Sequence, residues 1–233
     1  MTIALRFEAA LGDDWATNGW TVVEGFVGEA ELAALREEAD RLMQDEALFR
    51  ERGAIPNSAR RGDRLDPVID VSPVFAELAR DPRLLALVGR HFGGDAQLLK
   101  DKFIAKPPGA GGYGTHQDGA YWPGLGADLS RFATAVLFLD DATAENGAIE
   151  CAAGYHHALL TDPDTVADPD ESRLGGFTTV EARAGDLLLL HALTPHRSGT
   201  NGSYGMRRAV LFTYGVDPRA DLYGIYRQLR AHA

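Results

Sequence analysis

The chain has 233 residues, an apolar fraction of 45% and a formal net charge of -11 at pH 7. This length suits one domain with a packed core, and the negative charge argues against binding to nucleic acid or to an anionic membrane surface. A single cysteine, Cys151, excludes an internal disulfide and a cysteine-rich zinc site. We see no signal peptide and no stretch with the roughly 20 apolar residues of a membrane span, so we expect a cytoplasmic protein.

Residues 1–96 are expected to be mostly helical and to support a core formed by later residues. Leucine and alanine recur at helical spacing between residues 28 and 49, with charged residues between them. Residues 72–94 predict two short helices, with Ser72 as the cap of the first and Gly93 at the end of the second.

An arginine-rich loop, residues 50–67, lies between these helical regions and includes Arg61 and Arg64. One interpretation is a solvated loop. The other is that some of its arginines reach over a pocket toward an anionic group of a substrate, because a guanidinium binds such groups with paired hydrogen bonds. Arg61 is therefore a candidate substrate residue.

From residue 97 to 216, short apolar runs alternate with Gly, Asp, Asn or Pro, without helices between them. Such a series predicts an antiparallel sandwich or barrel. The Asn146-Gly147 dipeptide predicts a hairpin between two of the strands. The long acidic loop at 153–176 is expected to be a lid or flap, and residues 217–233 a tail or helix.

The segment GGYGTHQDGAYW, residues 111–122, places His116 and Asp118 two positions apart. In an extended strand, residues i and i+2 point to the same face, so these two side chains can converge on one point. Alone, the pattern fits a polar strand edge as well as it fits a metal site.

A second segment, residues 185–215, favours the metal site. His196 follows an apolar strand that carries His191, and Arg207 and Arg208 begin a returning strand. Two histidines and one carboxylate leave three open positions on Fe(II), whereas catalytic zinc usually keeps one. Because an arginine can bind a carboxylate through two parallel hydrogen bonds, this pattern suits iron beside a dicarboxylate co-substrate.

These residues resemble the phytanoyl-CoA dioxygenase family of Fe(II)/2-oxoglutarate-dependent oxygenases. The matching segments are KPPGAGGYGTHQDGAYW, FLDDATAENGAIECAAGYHH and GDLLLLHALTPHRSGTNGSYGMRRAVLFTYG, preceded by an opening strand and helix in NGWTVVEGFVGEAELAALREEADRL. The resemblance implies one domain over residues 1–233, mainly β with flanking helices. Its core, residues 97–216, would be a double-stranded β-helix, that is, a jelly-roll or cupin-like barrel.

The resemblance also implies roles for individual residues. Fe(II) would be bound by His116, Asp118 and His196. Arg207 would pair with the distal carboxylate of 2-oxoglutarate, and the Ser198 hydroxyl would help to bind the same carboxylate. Weaker candidates for binding the co-substrate are Thr134, Lys106 and Lys102.

Other residues leave alternatives open. His191 competes with His196 as third ligand but lacks the serine and arginine at the family spacing. His156 and His157 depart from the family pattern after the Asn-Gly turn, and we expect structural roles rather than substrate contacts. Arg208 would face away from Arg207. Two aromatic residues are either core or rim residues or a wall that positions the substrate: Tyr121 and Trp122.

The implied reaction is hydroxylation of a C–H bond of a small metabolite or natural-product intermediate, using O2 and releasing succinate and CO2. An intact Asp118 favours hydroxylation, or desaturation, epoxidation or ring closure, over halogenation, because related halogenases have a small residue there. One alternative is a cupin-like metal enzyme without 2-oxoglutarate, which would not need Arg207 and Ser198. Another is a non-catalytic small-molecule-binding relative. A monomer or homodimer is expected.

Overall fold

The computed structural model of the chain describes residues 13–52, 64–161, 169–219 and 221–231. The helices are α1 (Asp13–Asn18), α2 (Glu29–Met43), α3 (Glu46–Arg52), α4 (Pro73–Leu78), α5 (Pro82–Phe92) and α6 (Leu222–Ala231). The strands are β1 (Trp20–Val23), β2 (Arg64–Leu65), β3 (Gln97–Lys106), β4 (Tyr113–His116), β5 (Phe132–Phe138), β6 (Ile149–Cys151), β7 (Thr178–Val180), β8 (Leu187–His191), β9 (His196–Ser198) and β10 (Arg207–Gly215).

The strands form two antiparallel sheets. The larger sheet has the order β1-β8-β5-β10-β3-β2, and the smaller sheet has the order β4-β9-β6-β7. Two facing sheets with helices packed outside form the jelly-roll barrel that the sequence predicted, so the predicted fold class is confirmed. Helices predominate before residue 97, although β1 and β2 lie among them.

Two hydrophobic clusters lie between the layers of the structure, which are the helices and the two sheets. One cluster lies between the outer face of the larger sheet and the helices, and includes Phe103, Phe212 and Leu42. The other fills the space between the two sheets and includes Ile104 and Val136. Since side chains alternate along a strand, Phe103 faces the helices while Ile104 faces the inside of the barrel.

The predicted ends of two helices are confirmed. The Ser72 hydroxyl accepts a hydrogen bond from the Phe75 amide at 3.1 Å, which caps α4. Gly93 ends α5 in the left-handed conformation, with φ of 69°, which glycine adopts without steric cost.

The predicted hairpin at Asn146-Gly147 is wrong. The strands on either side, β5 and β6, belong to different sheets, so this turn carries the chain across the barrel. The Asn146 side chain accepts a hydrogen bond from the Thr143 amide at 2.9 Å and donates to the Asp141 carbonyl at 2.8 Å. These bonds stabilise a tight turn without requiring its flanking strands to pair.

The C-terminal helix α6 packs on β3 and is anchored by polar contacts. The Tyr223 hydroxyl donates to Asp101 at 2.8 Å, and Arg230 pairs with Asp66 at 2.9 Å. Asp101 also accepts from the amides of Val68 and Ile69, so one buried carboxylate joins β3, α6 and the segment that follows β2.

Among the described residues, no helix is long and apolar enough to cross a membrane.

We predict that Ser72→Ala lowers the free energy of unfolding by about 1–2 kcal/mol, because it removes the α4 cap and the Ser72 contact with Glu38. Chemical denaturation measures this change. Ser130→Ala is the matched control, since the exposed Ser130 hydroxyl bonds only locally to Asp128, and we expect a loss below about 0.5 kcal/mol. Equal losses in the two variants would contradict the prediction.

Candidate metal centre and co-substrate site

The structure brings together the three side chains that the sequence predicted as iron ligands. His116 ends β4 and lies directly opposite His196, the first residue of β9. Gln117 is extended, and Asp118 then begins a 3-10 turn. One ligand atom from each of the three residues lies within 4.8 Å of the others. Within the described ranges, no other such group of His, Cys, Asp or Glu converges.

Hydrogen bonds orient both imidazoles toward this point. His116 Nδ1 bonds to the Gly114 carbonyl at 2.8 Å, and His196 Nδ1 bonds to the Thr194 carbonyl at 3.0 Å. A carbonyl only accepts, so each Nδ1 carries the proton and each Nε2 has a free lone pair. Bonds of this kind, from the second ring nitrogen to a backbone carbonyl, are typical of metal-binding histidines.

Thr134 orients the third ligand. Its hydroxyl donates to Asp118 Oδ2 at 2.7 Å and lies 2.9 Å from the Thr213 hydroxyl. These contacts leave Asp118 Oδ1 for a cation. The sequence suggested Thr134 only as a co-substrate contact, because neither the strand register nor the pairing of Thr134 with Thr213 could be read from it.

The electrostatic environment keeps the three side chains in metal-binding protonation states. Burial, aided by the neighbouring His196, lowers the pKa of His116 to about 3. Burial also lowers the pKa of His196. Burial opposes ionisation of Asp118, but the positive charges of Lys102 and Lys100 hold the pKa of this carboxyl below its usual value. Two neutral imidazoles and a carboxylate can bind a cation without first losing protons, so this donor set fits Fe(II).

Gln117, which the sequence did not single out, fixes the position of the two residues beside it. The side chain is fully buried. Its amide nitrogen donates to the carbonyls of Ala158 and Leu193, and its amide oxygen accepts from the Leu160 amide at 2.7 Å. The glutamine therefore ties the metal-binding segment to the loop after β6 and to the loop that leads to His196.

Arg207 is a buried cation on the inner face of the larger sheet. It is 4% exposed, and its Nε has no hydrogen-bond partner among the described residues. Arg207 lies directly opposite Lys106 in the β10–β3 pair, so the two side chains share the inner face of the sheet. An unpartnered buried guanidinium is costly, and a carboxylate is the group that best satisfies it.

Ser198 and Lys106 lie next to this arginine. Lys106 Nζ is 3.2 Å from Ser198 Oγ and 3.4 Å from the Gly147 carbonyl, and it also donates to the Gly199 carbonyl. Ser198 Oγ further accepts from the Tyr113 amide at 3.2 Å. Lys106 thus bonds to the turns that close this end of the barrel.

Lys102 lies on the inner face of β3 between Lys106 and the metal centre. Burial and the neighbouring Lys100 lower the pKa of Lys102 to about 8. Its charge acts on Asp118.

The predicted substrate residues differ in their surroundings. Tyr121 is 49% exposed, and its ring lies 5.7 Å from that of His116, at the mouth of the site. Trp122 is 3% exposed and packs on Phe132, which makes it a core residue, although its Nε1 has no hydrogen-bond partner among the described residues. Arg61 lies outside the described residues.

The remaining histidines and Arg208 have structural contacts. His191 Nε2 bonds to the Ser130 carbonyl at 3.0 Å and its Nδ1 accepts from the Leu193 amide, so both nitrogens are engaged away from the metal ligands. His156 is buried against His157 and His191. Arg208 faces the outside of the sheet, where it pairs with Asp140 at 2.8 Å and with Asp40.

Fold and site together define a class of protein: jelly-roll enzymes in which two histidines and one carboxylate leave open positions on a mononuclear iron. The family described as phytanoyl-CoA dioxygenase (PhyH) matches residues 15–209. The chain therefore belongs to the phytanoyl-CoA dioxygenase family and is an iron- and 2-oxoglutarate-dependent oxygenase.

Individual relatives agree with this assignment. The chain is 28% identical over 208 residues to a 2-aminoethylphosphonate dioxygenase from an uncultured bacterium (HF130_AEPn_1), covering 86% of this chain and 78% of the relative. It is 26% identical to the methylphosphonate hydroxylase of Gimesia maris, covering 90% and 81%. Among solved structures, the α-ketoglutarate-dependent epimerase SnoN from nogalamycin biosynthesis superimposes with a TM-score of 0.75 at 25% identity, covering 91% of this chain and 84% of SnoN.

We predict that His196→Ala abolishes stoichiometric metal binding, because it removes one of three ligand atoms. His191→Ala, a loss of the same side chain five residues earlier, is the control and should retain the metal. Equilibrium dialysis with Fe(II) under anaerobic conditions measures both variants. Retention of iron by the His196 variant would refute this ligand assignment.

We also predict that Thr134→Val weakens Fe(II) binding about 10- to 100-fold, because the variant cannot donate to Asp118. Thr134→Ser keeps the hydroxyl and should bind iron nearly as well as the wild type. Competition with a metal chelator gives the affinities. If valine and serine behave alike, Thr134 does not position Asp118.

Proposed function

We propose that the protein hydroxylates a C–H bond of a small molecule, with His116, Asp118 and His196 holding Fe(II) and Arg207 holding the distal carboxylate of 2-oxoglutarate. The observation that carries the proposal is the buried Arg207 guanidinium, whose Nε has no partner among the described residues and which lies on the inner face of the larger sheet, opposite Lys106. A metal site alone would not require a buried arginine at this position.

Each residue of the site has one role in this proposal. The two histidines bind the metal through Nε2, because each Nδ1 donates a hydrogen bond to a backbone carbonyl. Thr134 fixes the carboxylate of Asp118, and Ser198, held by Lys106, lies beside the arginine. When bound, iron and 2-oxoglutarate supply the oxidation, in which O2 is consumed and succinate and CO2 are released. The protein binds and orients the reactants and restricts water.

The charge arrangement also supports 2-oxoglutarate over a cupin-like reaction without it. Arg207 and Lys106 are buried cations directly opposite each other on neighbouring strands. Like charges in this position repel, and an anion between them would offset the repulsion. A non-catalytic relative is disfavoured because the ligand set is complete.

The relatives support a small substrate. Their names refer to 2-aminoethylphosphonate, methylphosphonate and L-proline, which are all small polar molecules. Tyr121, at the mouth of the site, is the residue that we propose to contact the substrate. We further propose that the protein acts in the cytoplasm, as one domain, in a monomer or homodimer, without nucleic acid or membrane.

The proposal is tested by loading the protein with Fe(II) and 2-oxoglutarate, adding oxygen and a panel of small molecules, and measuring succinate. We expect substrate-dependent succinate release, and none from the His196→Ala variant. Absence of 2-oxoglutarate binding, together with no succinate from any compound, would contradict the proposal.

We predict that Arg207→Met raises the dissociation constant for 2-oxoglutarate about 30-fold or more, since removing one partner of a buried charge pair costs about 2–5 kcal/mol. Arg208→Met is the matched control: Arg208 is the next residue but pairs with Asp140 on the outside of the sheet. It should bind 2-oxoglutarate like the wild type. Anaerobic calorimetry with the Fe(II)-loaded proteins measures both. Unchanged affinity in the Arg207 variant would remove the co-substrate role.

A further inference from the structure

The lysines of this chain are confined to one place. The sequence contains 23 lysines and arginines, yet only three are lysines, and all three lie on β3. They occupy positions 100, 102 and 106, which alternate with residues that face the helices, such as Phe103 and Ala105. Ile104, on the same face as the lysines, packs between the two sheets. In an acidic protein, all of its lysines therefore point into the barrel.

Lys100 and Lys102 lie on β3 near Asp118. Both keep some accessible surface, yet burial lowers the pKa of each side chain. Both charges act on Asp118. Neither ammonium group has a hydrogen bond or an ion pair with any described residue, and the nearest ring is that of Tyr226, with its centroid 5.9 Å from Lys100 Nζ.

Lys100 lies at the opposite end of the site from Arg207. In the β10–β3 pair, Arg207 is opposite Lys106, whereas Thr213 is opposite Lys100. Six residues of β10 separate these two levels, which corresponds to about 20 Å along the strand. Thr213 contacts Thr134, which in turn binds Asp118, so Lys100 lies at the level of this metal ligand.

Two further charged residues, Asp66 and Arg64, act on Lys100. Arg64 lies on β2 opposite Ile104, and its charge acts on both Lys100 and Lys102. Its Nε is buried and has no hydrogen-bond partner among the described residues. The carboxylate beside it, Asp66, is shared between Arg64 at 3.0 Å and Arg230 at 2.9 Å. Buried donors and cations without acceptors are costly unless a ligand provides the acceptor.

We propose that Lys100, with Arg64 beside it, binds an anionic oxygen group of the substrate, a carboxylate or a phosphonate, at the end of the inner face away from Arg207. The proposal rests on the proposed function, because it assigns the second ligand of the same site. The carboxylates of Asp66 and Asp118 act on Lys100 but neither forms an ion pair with it, so its ammonium group is available to an anionic group of the substrate. Helix α6 packs across β3 at this level through Tyr226, which favours a small substrate.

The test is anaerobic calorimetry on protein loaded with Fe(II) and 2-oxoglutarate, using butyrate and propylphosphonate as anionic probes and butyramide as the neutral probe. We expect at least one anion to bind and butyramide not to bind, and the tighter anion identifies the group. Lys100→Gln should raise the dissociation constant of that anion about tenfold or more, the equivalent of about 1.4 kcal/mol, while Lys100→Arg stays within about threefold of the wild type.

Two controls separate this inference from the proposed function. Arg227→Gln removes a cation of α6 that pairs with Asp70 on the surface, and should leave anion binding unchanged. Fe(II) and 2-oxoglutarate affinities are measured on their own for each variant. We expect Lys100→Gln to retain both, whereas a residue that only supported the metal ligands would lose iron. Failure of 2-oxoglutarate binding in the wild type would instead count against the proposed function.

A second measurement uses the scarcity of lysine. A lysine-directed acylating reagent has only three side-chain targets in this chain. The better anion should protect Lys100 from acylation in the loaded protein, as measured by peptide mass spectrometry. The proposal is overturned if saturating anion leaves Lys100 unprotected, if neither anion binds the wild type, if butyramide binds as tightly, or if Lys100→Gln keeps full anion affinity.

Discussion

The ammonium group of Lys106 holds together the end of the barrel at which Arg207 lies. It extends from the larger sheet to Ser198 on the smaller sheet and to the carbonyls of Gly147 and Gly199 in two turns. Asn201 reinforces this junction, because its side-chain amide donates to the Lys106 carbonyl at 2.8 Å. A buried charge tolerates little displacement from its acceptors, so the separation of the two sheets is fixed here.

That junction has an electrostatic consequence. The β10–β3 register puts Arg207 opposite Lys106, and Lys102 and Lys100 follow on the same inner face. The inside of the barrel is therefore cationic in a protein whose net charge is -11. Only Asp118 among the metal ligands is anionic. Such an interior is stable when it is filled with anions, so ligand binding and stability are linked in this fold.

The sequence predicted what depends on local pattern and missed what depends on register between sheets. Apolar periodicity and capping residues such as Ser72 predicted the helices, and the short apolar runs predicted the strands. The metal ligands followed from spacing and family resemblance. The contact of Thr134 with Asp118, the inward row of lysines and the sheet-crossing turn at Asn146 all depend on which strands are neighbours, which one sequence does not encode locally.

Gln117 joins the metal centre to the loop that follows β6. Its side chain bonds to Ala158 and Leu160 in the loop after β6 and to Leu193 before the third ligand. Farther along the same loop, Glu171 contacts Thr115 of β4 and pairs with Arg197 of β9 at 2.9 Å. Each of these strands carries a metal-binding histidine, so the contacts of Glu171 join the loop to both histidines through neighbouring residues.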